Sequence, residues 1–147
     1  MNNAEMIKLY SGKILELAAE IPHAGRLDGA QVTATKRSPL CGSTVTVDLV
    51  LEEGRIAEFA QDVKACALGQ ASASVSGAQM IGRSEAEVSS ARTALATMLK
   101  SDGPIPQPPF DGFEVLIPAK DYKNRHASIL LSLDATLAAF EEARATA

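Results

Sequence analysis

The sequence is poor in cysteine and has no long hydrophobic run, and both absences limit what the protein can be. It contains only two cysteines, Cys41 and Cys66, among 147 residues. This number excludes a framework of several disulfides, and we expect two reduced thiols in a cytoplasmic protein. The most apolar stretch, Ile129–Phe140, is interrupted by Ser132 and Asp134 and is too short to span a bilayer. Because the start of the chain also lacks the apolar run of a signal peptide, we predict a cytoplasmic location and no membrane partner.

Positive charge is scarce as well. The chain has 14 Lys and Arg against 18 Asp and Glu, a formal net charge of −4. This balance argues against non-specific nucleic-acid binding, which depends on cations that neutralise phosphates. Hydrophobic residues make up 46% of the sequence, which is ordinary for a globular protein. A chain of this length can fold without a metal or a disulfide, and we predict one domain over residues 1–147.

Three segments have the two-residue periodicity of β-strands. In Thr44–Leu51 apolar residues alternate with polar ones, which predicts a half-buried strand. The turn Glu52-Glu53-Gly54 separates it from a second strand at Arg55–Val63, and Gln31–Arg37 predicts a strand before both. Short connections between sequential strands favour an antiparallel meander.

Helical periodicity lies on both sides of the predicted strands. Apolar residues at helical spacing predict a first helix over residues 3–20, which Pro22 ends, and a last helix over about Arg125–Ala143. Four prolines in residues 101–109 predict a stiff connector. The order helix, strands, helices predicts an α+β fold, a three-stranded antiparallel sheet with helices packed on one face.

Two more helices are predicted between the sheet and the connector. After Cys66 the chain becomes rich in Ala and Ser, and small residues let a helix approach its neighbours closely. We expect Gly82 to end this helix. Ser84 and Glu87 have the spacing of a capping box, which predicts that the next helix begins there.

The strand prediction brings the two cysteines together. The midpoint between Cys41 and Cys66 falls on the Glu53-Gly54 turn, so the two positions face each other in an unbulged hairpin folded about that turn. We therefore predict that Cys41, before the second strand, and Cys66, after the third, lie side by side at one end of the sheet.

Three residues are candidate metal ligands. Cys41 lies in the loop Pro39-Leu40-Cys41-Gly42-Ser43, whose glycine lets backbone amides approach a ligand. Cys66 opens a helix, where unpaired N–H groups stabilise a thiolate, which is a nucleophile and a soft metal ligand. His126 begins the last helix, where the neutral imidazole that metals bind is favoured. The alternatives are buried, inert cysteines and a histidine that only packs, and His23 is predicted to be a surface residue.

These residues stand in five ordered motifs that resemble the NifU/IscU/SufU-type family of iron–sulfur cluster assembly scaffolds, over nearly the whole chain. Pro22–Leu27 resembles the family's Pro-Arg-Asn-x-Gly loop, Pro39–Ser43 its Pro-x-Cys-Gly-Asp loop, Ala65–Ser74 its Gly-Cys segment and Ala-Ser-rich helix, Ile81–Glu87 its next helix start, and Arg125–Leu130 its His-Cys-Ser-Ile-Leu signature. The resemblance implies a SufE/NifU-like fold and a scaffold or carrier that binds iron or a [2Fe–2S] cluster. It also implies a cysteine desulfurase and recipient apoproteins as partners, and no catalysis by the chain itself.

The chain departs from this family at two positions. The family's third cysteine, a cluster ligand implicated in accepting sulfur, falls at Ala127, and the aspartate that keeps the cluster transferable falls at Ser43. A cluster usually takes four ligands, mostly thiolates. Cys41, Cys66 and His126 are therefore an incomplete set, with Ser43 a weak candidate. A second copy of the chain in a homodimer, a small thiol or water could complete it.

Three other functions fit part of the pattern. Two cysteines and a histidine with an open position suit Zn²⁺, as in a zinc-binding sulfur-relay partner of a cysteine desulfurase. The loss of two site residues fits a metal-free, divergent interaction module. A Cys–His hydrolase ranks last, because the sequence shows neither a nucleophile elbow nor a third orienting residue. The cations Lys120, Lys123 and Arg125 could balance an anionic cluster, dock an acidic partner or simply be solvated.

Overall fold

The computed structural model describes residues 11–39 and 42–146. The elements of this part of the chain are, in order, α1 (Gly12–Ala19), β1 (Val32–Arg37), β2 (Thr44–Glu52), β3 (Arg55–Lys64), α2 (Ala67–Gly77), α3 (Glu85–Ser101), 3₁₀ helices at Asp111–Asp121 and Lys123–Arg125, and α4 (His126–Ala145). The first predicted helix is therefore confirmed over Gly12–Ala19, and its first residues lie outside the described part of the chain. None of the described helices is long and apolar enough to cross a membrane.

The three predicted strands and their antiparallel order are confirmed. The sheet has the order β1-β2-β3, and β2 and β3 are joined by a two-residue turn in which Glu53 and Gly54 both have positive φ. Such a turn matches the right-handed twist of the two strands. The helices cover the face of the sheet on which Val45, Val47 and Leu49 are fully buried, so the α+β prediction is confirmed.

The hairpin register differs from the prediction, because β2 and β3 contain a bulge. Leu51 pairs with Ile56 near the turn, whereas Val50 pairs with Glu58 beyond it, so one extra residue lies on β3. Continuing the outer register places position 42, rather than position 41, opposite Cys66. The assumption of an unbulged hairpin was wrong by one residue, and Cys41 itself lies outside the described residues.

Helix α2 is built of small residues and is almost completely buried between its neighbours. Nine of its eleven residues are buried. A Cβ atom at Gly69 would lie 2.5 Å from Ser128 Oγ of α4, and one at Gly77 would collide with the Gln61 side chain of β3. The helix ends at Gly77 and not at Gly82 as predicted, because the chain turns after Gly77 to bury Met80. Gly82 (φ 88°) lies in the next turn, where the Arg83 amide donates to the Met80 carbonyl oxygen at 3.1 Å.

Gln61 connects the sheet to α2 and α4 through buried hydrogen bonds. Its Nε2 donates to the carbonyl oxygen of Ala73 at 2.9 Å, and its Oε1 accepts from Ser132 Oγ at 3.0 Å. Ser132 also lies 3.0 Å from Ser76 Oγ. Buried polar groups that are all satisfied in this way favour a single arrangement of the packed elements.

The predicted start of α3 and the predicted last helix, α4, are confirmed. Ser84 and Glu87 form the capping box that begins α3, and the apolar face of α3 is buried. Helix α4 buries Leu130, Leu133 and Phe140, and Leu137 is partly buried. The 3₁₀ helix Asp111–Asp121 was not predicted, because its periodicity is neither that of a strand nor that of an α-helix.

Asp48 is buried on the other face of the sheet, although it is one of the polar residues of a strand predicted to be half-buried. Its side chain is 1% exposed, and its carboxylate accepts hydrogen bonds from Arg26 at 2.8 Å, the Leu27 amide at 3.0 Å and the Thr33 hydroxyl. The Arg26 guanidinium is the main cause that lowers the pKa of Asp48 to about 2, followed by the Thr33 and Leu27 bonds, against the opposing effect of burial. The loop before β1 is therefore attached to the outer face of the sheet.

We predict that Asp48→Asn removes an acid-dependent part of the stability. Because the folded pKa is below the ordinary value of 3.8, the contribution is complete above about pH 4 and is lost as the pH falls toward 2. Arg26 is 58% exposed, and solvent therefore weakens the pair, so we expect about 1–2 kcal/mol. Urea unfolding between pH 2 and 6 tests this, with the exposed Glu52→Gln of the same strand as control. Equal pH dependence in the wild type and Asp48→Asn would contradict it.

We predict that Gly69→Ala destabilises the protein although alanine favours helix. The added methyl group would lie 2.5 Å from Ser128 Oγ and 2.9 Å from Ala65 Cβ, and such overpacking costs about 1–3 kcal/mol. Gly12→Ala is the matched control, because nothing lies within 4 Å of its Cβ position in α1, and it should stabilise by about 0.5 kcal/mol. The measurement is the free energy of unfolding in urea. A stabilising Gly69→Ala would show that α2 and α4 are less closely packed than described.

Candidate functional site

Cys66 lies at the start of α2, as predicted. It is the N-cap residue, with extended backbone (φ −68°, ψ 169°), and its carbonyl oxygen accepts the Gln70 amide at 2.8 Å. The thiol is partly buried and reduced, and Sγ lies 3.5 Å from Ser128 Oγ. The unpaired N–H groups of the first turn of α2 favour negative charge at this position.

The loop that contains Cys41 is closed at its base. The Ser38 amide donates to the Ser43 carbonyl oxygen at 2.8 Å, and the Gly42 amide donates to the Ser38 carbonyl oxygen at 3.0 Å. These bonds extend the β1–β2 ladder by one step, and Gly42 adopts a left-handed φ of 71° that glycine tolerates best. Leu40 and Cys41 lie outside the described residues, so the shared site of the two thiols stays a prediction.

Ser128 connects the Cys41 loop with the helix that Cys66 begins. Its hydroxyl lies 3.0 Å from Ser43 Oγ and 3.5 Å from Cys66 Sγ, and the residue is 2% exposed. Three segments that are distant in sequence therefore meet at one buried hydroxyl. Sequence reasoning did not name Ser128 as a site residue, although it stands in the motif Arg125–Leu130.

His126 is the first residue of α4, as predicted, and it is 4% exposed. Its Nε2 lies 3.1 Å from the Ala119 carbonyl oxygen. Because a carbonyl only accepts, Nε2 carries the proton, and Nδ1 of the neutral ring keeps a lone pair. Metal-binding histidines often donate their other N–H to a backbone carbonyl in this way. Successive helical positions differ by about 100°, so His126 and Ser128 leave α4 on opposite sides, and the approach of His126 to the thiols stays a prediction.

Ala127 lies between His126 and the Cys41 loop. It lines one groove of about 440 Å³ together with Ser38 and Pro39, the residues that lead into the loop. It also lines a second groove of about 490 Å³ together with His126 and Lys123. A longer side chain at position 127 would therefore begin at the boundary of both grooves.

The described part of the chain contains one thiol donor, Cys66 at the start of α2, and one imidazole donor, His126 at the start of α4. Within residues 11–39 and 42–146, no three His, Cys, Asp or Glu side chains are close enough together to hold a metal ion. The Ser43 hydroxyl is hydrogen-bonded to the Ser128 hydroxyl. Lys120 forms an ion pair with Asp102 at 2.9 Å, which raises the pKa of Lys120. His23 is exposed, as predicted.

The geometry has counterparts among known proteins. The family model of the NifU-like N-terminal domain matches residues 9–126. The crystal structure of a nitrogen-fixing NifU-like protein (N-terminal) from Brucella abortus is 42% identical, with a TM-score of 0.92 over 97% of this chain and 99% of that one. The SufU structure of Fervidobacterium islandicum AW-1 has a TM-score of 0.79 over 91% of this chain and 98% of that one, and at 20% identity it shows the fold alone.

A curated relative extends the likeness at the level of sequence. The iron–sulfur cluster assembly scaffold protein IscU of Thermotoga maritima is 32% identical over 80 residues. The match covers 54% of this chain and 56% of that protein, so the chain spans little more than half the length of this relative. The family match is broader and covers residues 9–126. Because it spans most of the chain, the chain belongs to the NifU-like N-terminal domain family.

Proposed function

We propose that the chain is an iron–sulfur cluster assembly scaffold or carrier, on one NifU-like domain, and that its cargo is iron or a [2Fe–2S] cluster. The observation that carries this proposal is the junction at Ser128, which joins the start of α2 at Cys66 to the end of the Cys41 loop at Ser43. An ordinary buried cysteine has no need of such a junction. The scaffold name of the Thermotoga maritima relative supports the same function.

Each donor has a distinct part in this proposal. Cys41 and Cys66 supply thiolates, and the first-turn amides of α2 offset the negative charge that a thiolate-bound cluster carries. His126 supplies Nδ1, with its ring held by the Nε2 bond to Ala119. Ser43 acts as the partner of Ser128 and is a weak ligand, because its hydroxyl is already engaged.

Ala127 makes the site incomplete, which suits a carrier that releases its cargo. A methyl group in place of a thiolate leaves one coordination position to an exchangeable ligand, and the grooves beside Ala127 give it room. In this proposal a cysteine desulfurase supplies the sulfur and apoproteins receive the cluster. The chain itself then needs to catalyse no reaction.

A zinc-binding sulfur relay is the second candidate. The hydrogen bond from His126 Nε2 to a backbone carbonyl is the arrangement that zinc-binding histidines use. Two thiolates, one imidazole and an open position would suit Zn²⁺. The metal that the purified protein retains distinguishes this function from the first.

We expect anaerobic reconstitution with iron and sulfide to give the wild-type chain a sulfur-to-iron charge-transfer band in the visible spectrum. Cys66→Ser should retain about tenfold less iron, because a hydroxyl is a poor ligand for this soft site. Bound iron and sulfide per chain are measured, and unfolding curves show whether the variant is folded. Zinc without iron in the purified wild type would favour the relay. Wild-type protein that binds neither metal would contradict both functions.

We predict that Ala127→Cys loses its iron several-fold more slowly to a chelator than the wild type does. The third thiolate would lie at the boundary between the Cys41 loop and His126, and thiolates favour iron–sulfur clusters. Ala138→Cys is the matched control, because it adds the same thiol to α4 about 16 Å further along the helix. Equal retention in the two variants would show that position 127 no longer faces the site.

A further inference from the structure

The cations of this acidic chain are unevenly paired. Ion pairs with carboxylates engage six Lys and Arg residues of the described part, for example Arg26 with Asp48 and Arg92 with Asp134. Seven cations in residues 11–39 and 42–146 have no carboxylate within 4.0 Å there. One of these is Lys13 in α1, and we call the other six the basic collar: Lys36, Arg37, Lys64, Lys100, Lys123 and Arg125.

The basic collar surrounds the candidate site. Lys36 and Arg37 end β1 and line the groove between the Cys41 loop and Ala127. Lys100 and Lys123 line the groove on the other side of Ala127. The remaining two, Lys64 and Arg125, lie close in sequence to the proposed ligands Cys66 and His126.

Lys64 and Arg125 complete the collar. Lys64 is the last residue of β3, two positions before Cys66, and it pairs with Thr44 at the site end of the sheet. Arg125 directly precedes His126. The six cations of the collar thus come from four separate elements: β1, β3, α3 and the 3₁₀ helix Lys123–Arg125.

The opposite end of the sheet has the opposite charge. Glu52 is the last residue of β2, Glu53 lies in the β2–β3 turn, and Glu58 lies in β3. All three side chains are exposed. The two grooves also contain Glu141 and Asp134, of which Asp134 pairs with Arg92, so the collar leaves a local excess of positive charge on a chain that carries −4 as a whole. Such separation steers and orients an oppositely charged partner, more than it raises affinity.

We propose that the basic collar docks an acidic surface of a partner protein at the candidate site. This inference rests on the proposed function for the role of the partner. The collar extends along two grooves of about 440 and 490 Å³ on either side of Ala127. Cys66 is not among the residues that line either groove, so the cations there lie along a surface that a docked protein would cover.

The test uses the full-length apoprotein and a fluorescein-labelled peptide of ten glutamates as the acidic probe. We expect anisotropy to show binding at low salt that weakens at least tenfold when NaCl is raised to 0.5 M. Lys123→Glu should weaken binding about threefold, and Lys36→Glu/Lys123→Glu about tenfold, the size typical of charges at the edge of an interface. Lys13→Glu is the matched control, because it changes the net charge equally from an unpaired cation of α1, and it should change binding less than twofold.

Three outcomes would overturn the docking proposal. Equal weakening by Lys13→Glu and Lys123→Glu would mean that only the net charge matters. Equal binding of a ten-glutamine peptide would remove the electrostatic basis. A short DNA duplex that binds more tightly than the glutamate peptide would assign the collar to nucleic acid.

Iron reconstitution of Lys123→Glu separates this proposal from the proposed function. A variant that still takes up iron and sulfide but has lost peptide binding would support a collar that acts in docking. Collar-dependent peptide binding by a wild-type chain that takes up no metal would support the docking surface and contradict the scaffold function. Loss of iron uptake with unchanged peptide binding would overturn the docking proposal, because the collar would then serve the cargo alone.

Discussion

The close approach of α2 to α4 is the constraint on which the rest of the structure depends. It requires glycine at position 69, where a Cβ atom would lie 2.5 Å from Ser128 Oγ. The same approach brings Cys66, the N-cap of α2, within 3.5 Å of that hydroxyl. The packing of two helices and the position of the thiol are therefore one feature, and a side chain that separates the helices also moves the thiol. This explains why a largely buried helix is made of Ala, Ser and Gly when larger residues would bury more apolar surface.

One face of α4 carries hydroxyls at successive turns, and they fix the helix against the sheet. Ser128 meets Ser43 and Cys66, and four residues later Ser132 meets Gln61 and Ser76. Apolar side chains alone would permit α4 to slide or rotate by small amounts, whereas each buried hydrogen bond holds only at its own distance and direction. The contact of Ser128 with Ser43 thus fixes where the neighbouring residues Ala127 and His126 lie relative to the Cys41 loop. The assembly site that we propose requires such fixed positions.

Local chemistry made most of the fold predictable, and long-range packing accounts for what was missed. The β2–β3 turn and the Ser84–Glu87 capping box are properties of adjacent residues, so their signals are present in the sequence itself. The bulge between Val50 and Leu51 left a weaker signal, the three-residue spacing of Ile56 and Phe59, which both lie in the core although strict alternation would place them on opposite faces. Position 66 was placed correctly at a helix start, while the contact of Ser128 with Ser43 joins residues 85 positions apart. Only the tertiary structure could reveal that contact, and the place of Cys41 remains a prediction.

The two departures from the scaffold family and the basic collar affect the same quantity, the charge of the site. A carboxylate at position 43 and a thiolate at position 127 would each add a negative charge, whereas Ser43 and Ala127 add none. Ser43 is 4% exposed and lies 3.0 Å from Ser128 Oγ, so a charge there would be poorly solvated and close to Cys66. Without these two charges, the six cations of the collar act on anionic groups with less opposition from within the site. In the proposed function, a site without these two negative charges and with the basic collar beside it favours recognition of an acidic partner over permanent retention of a metal.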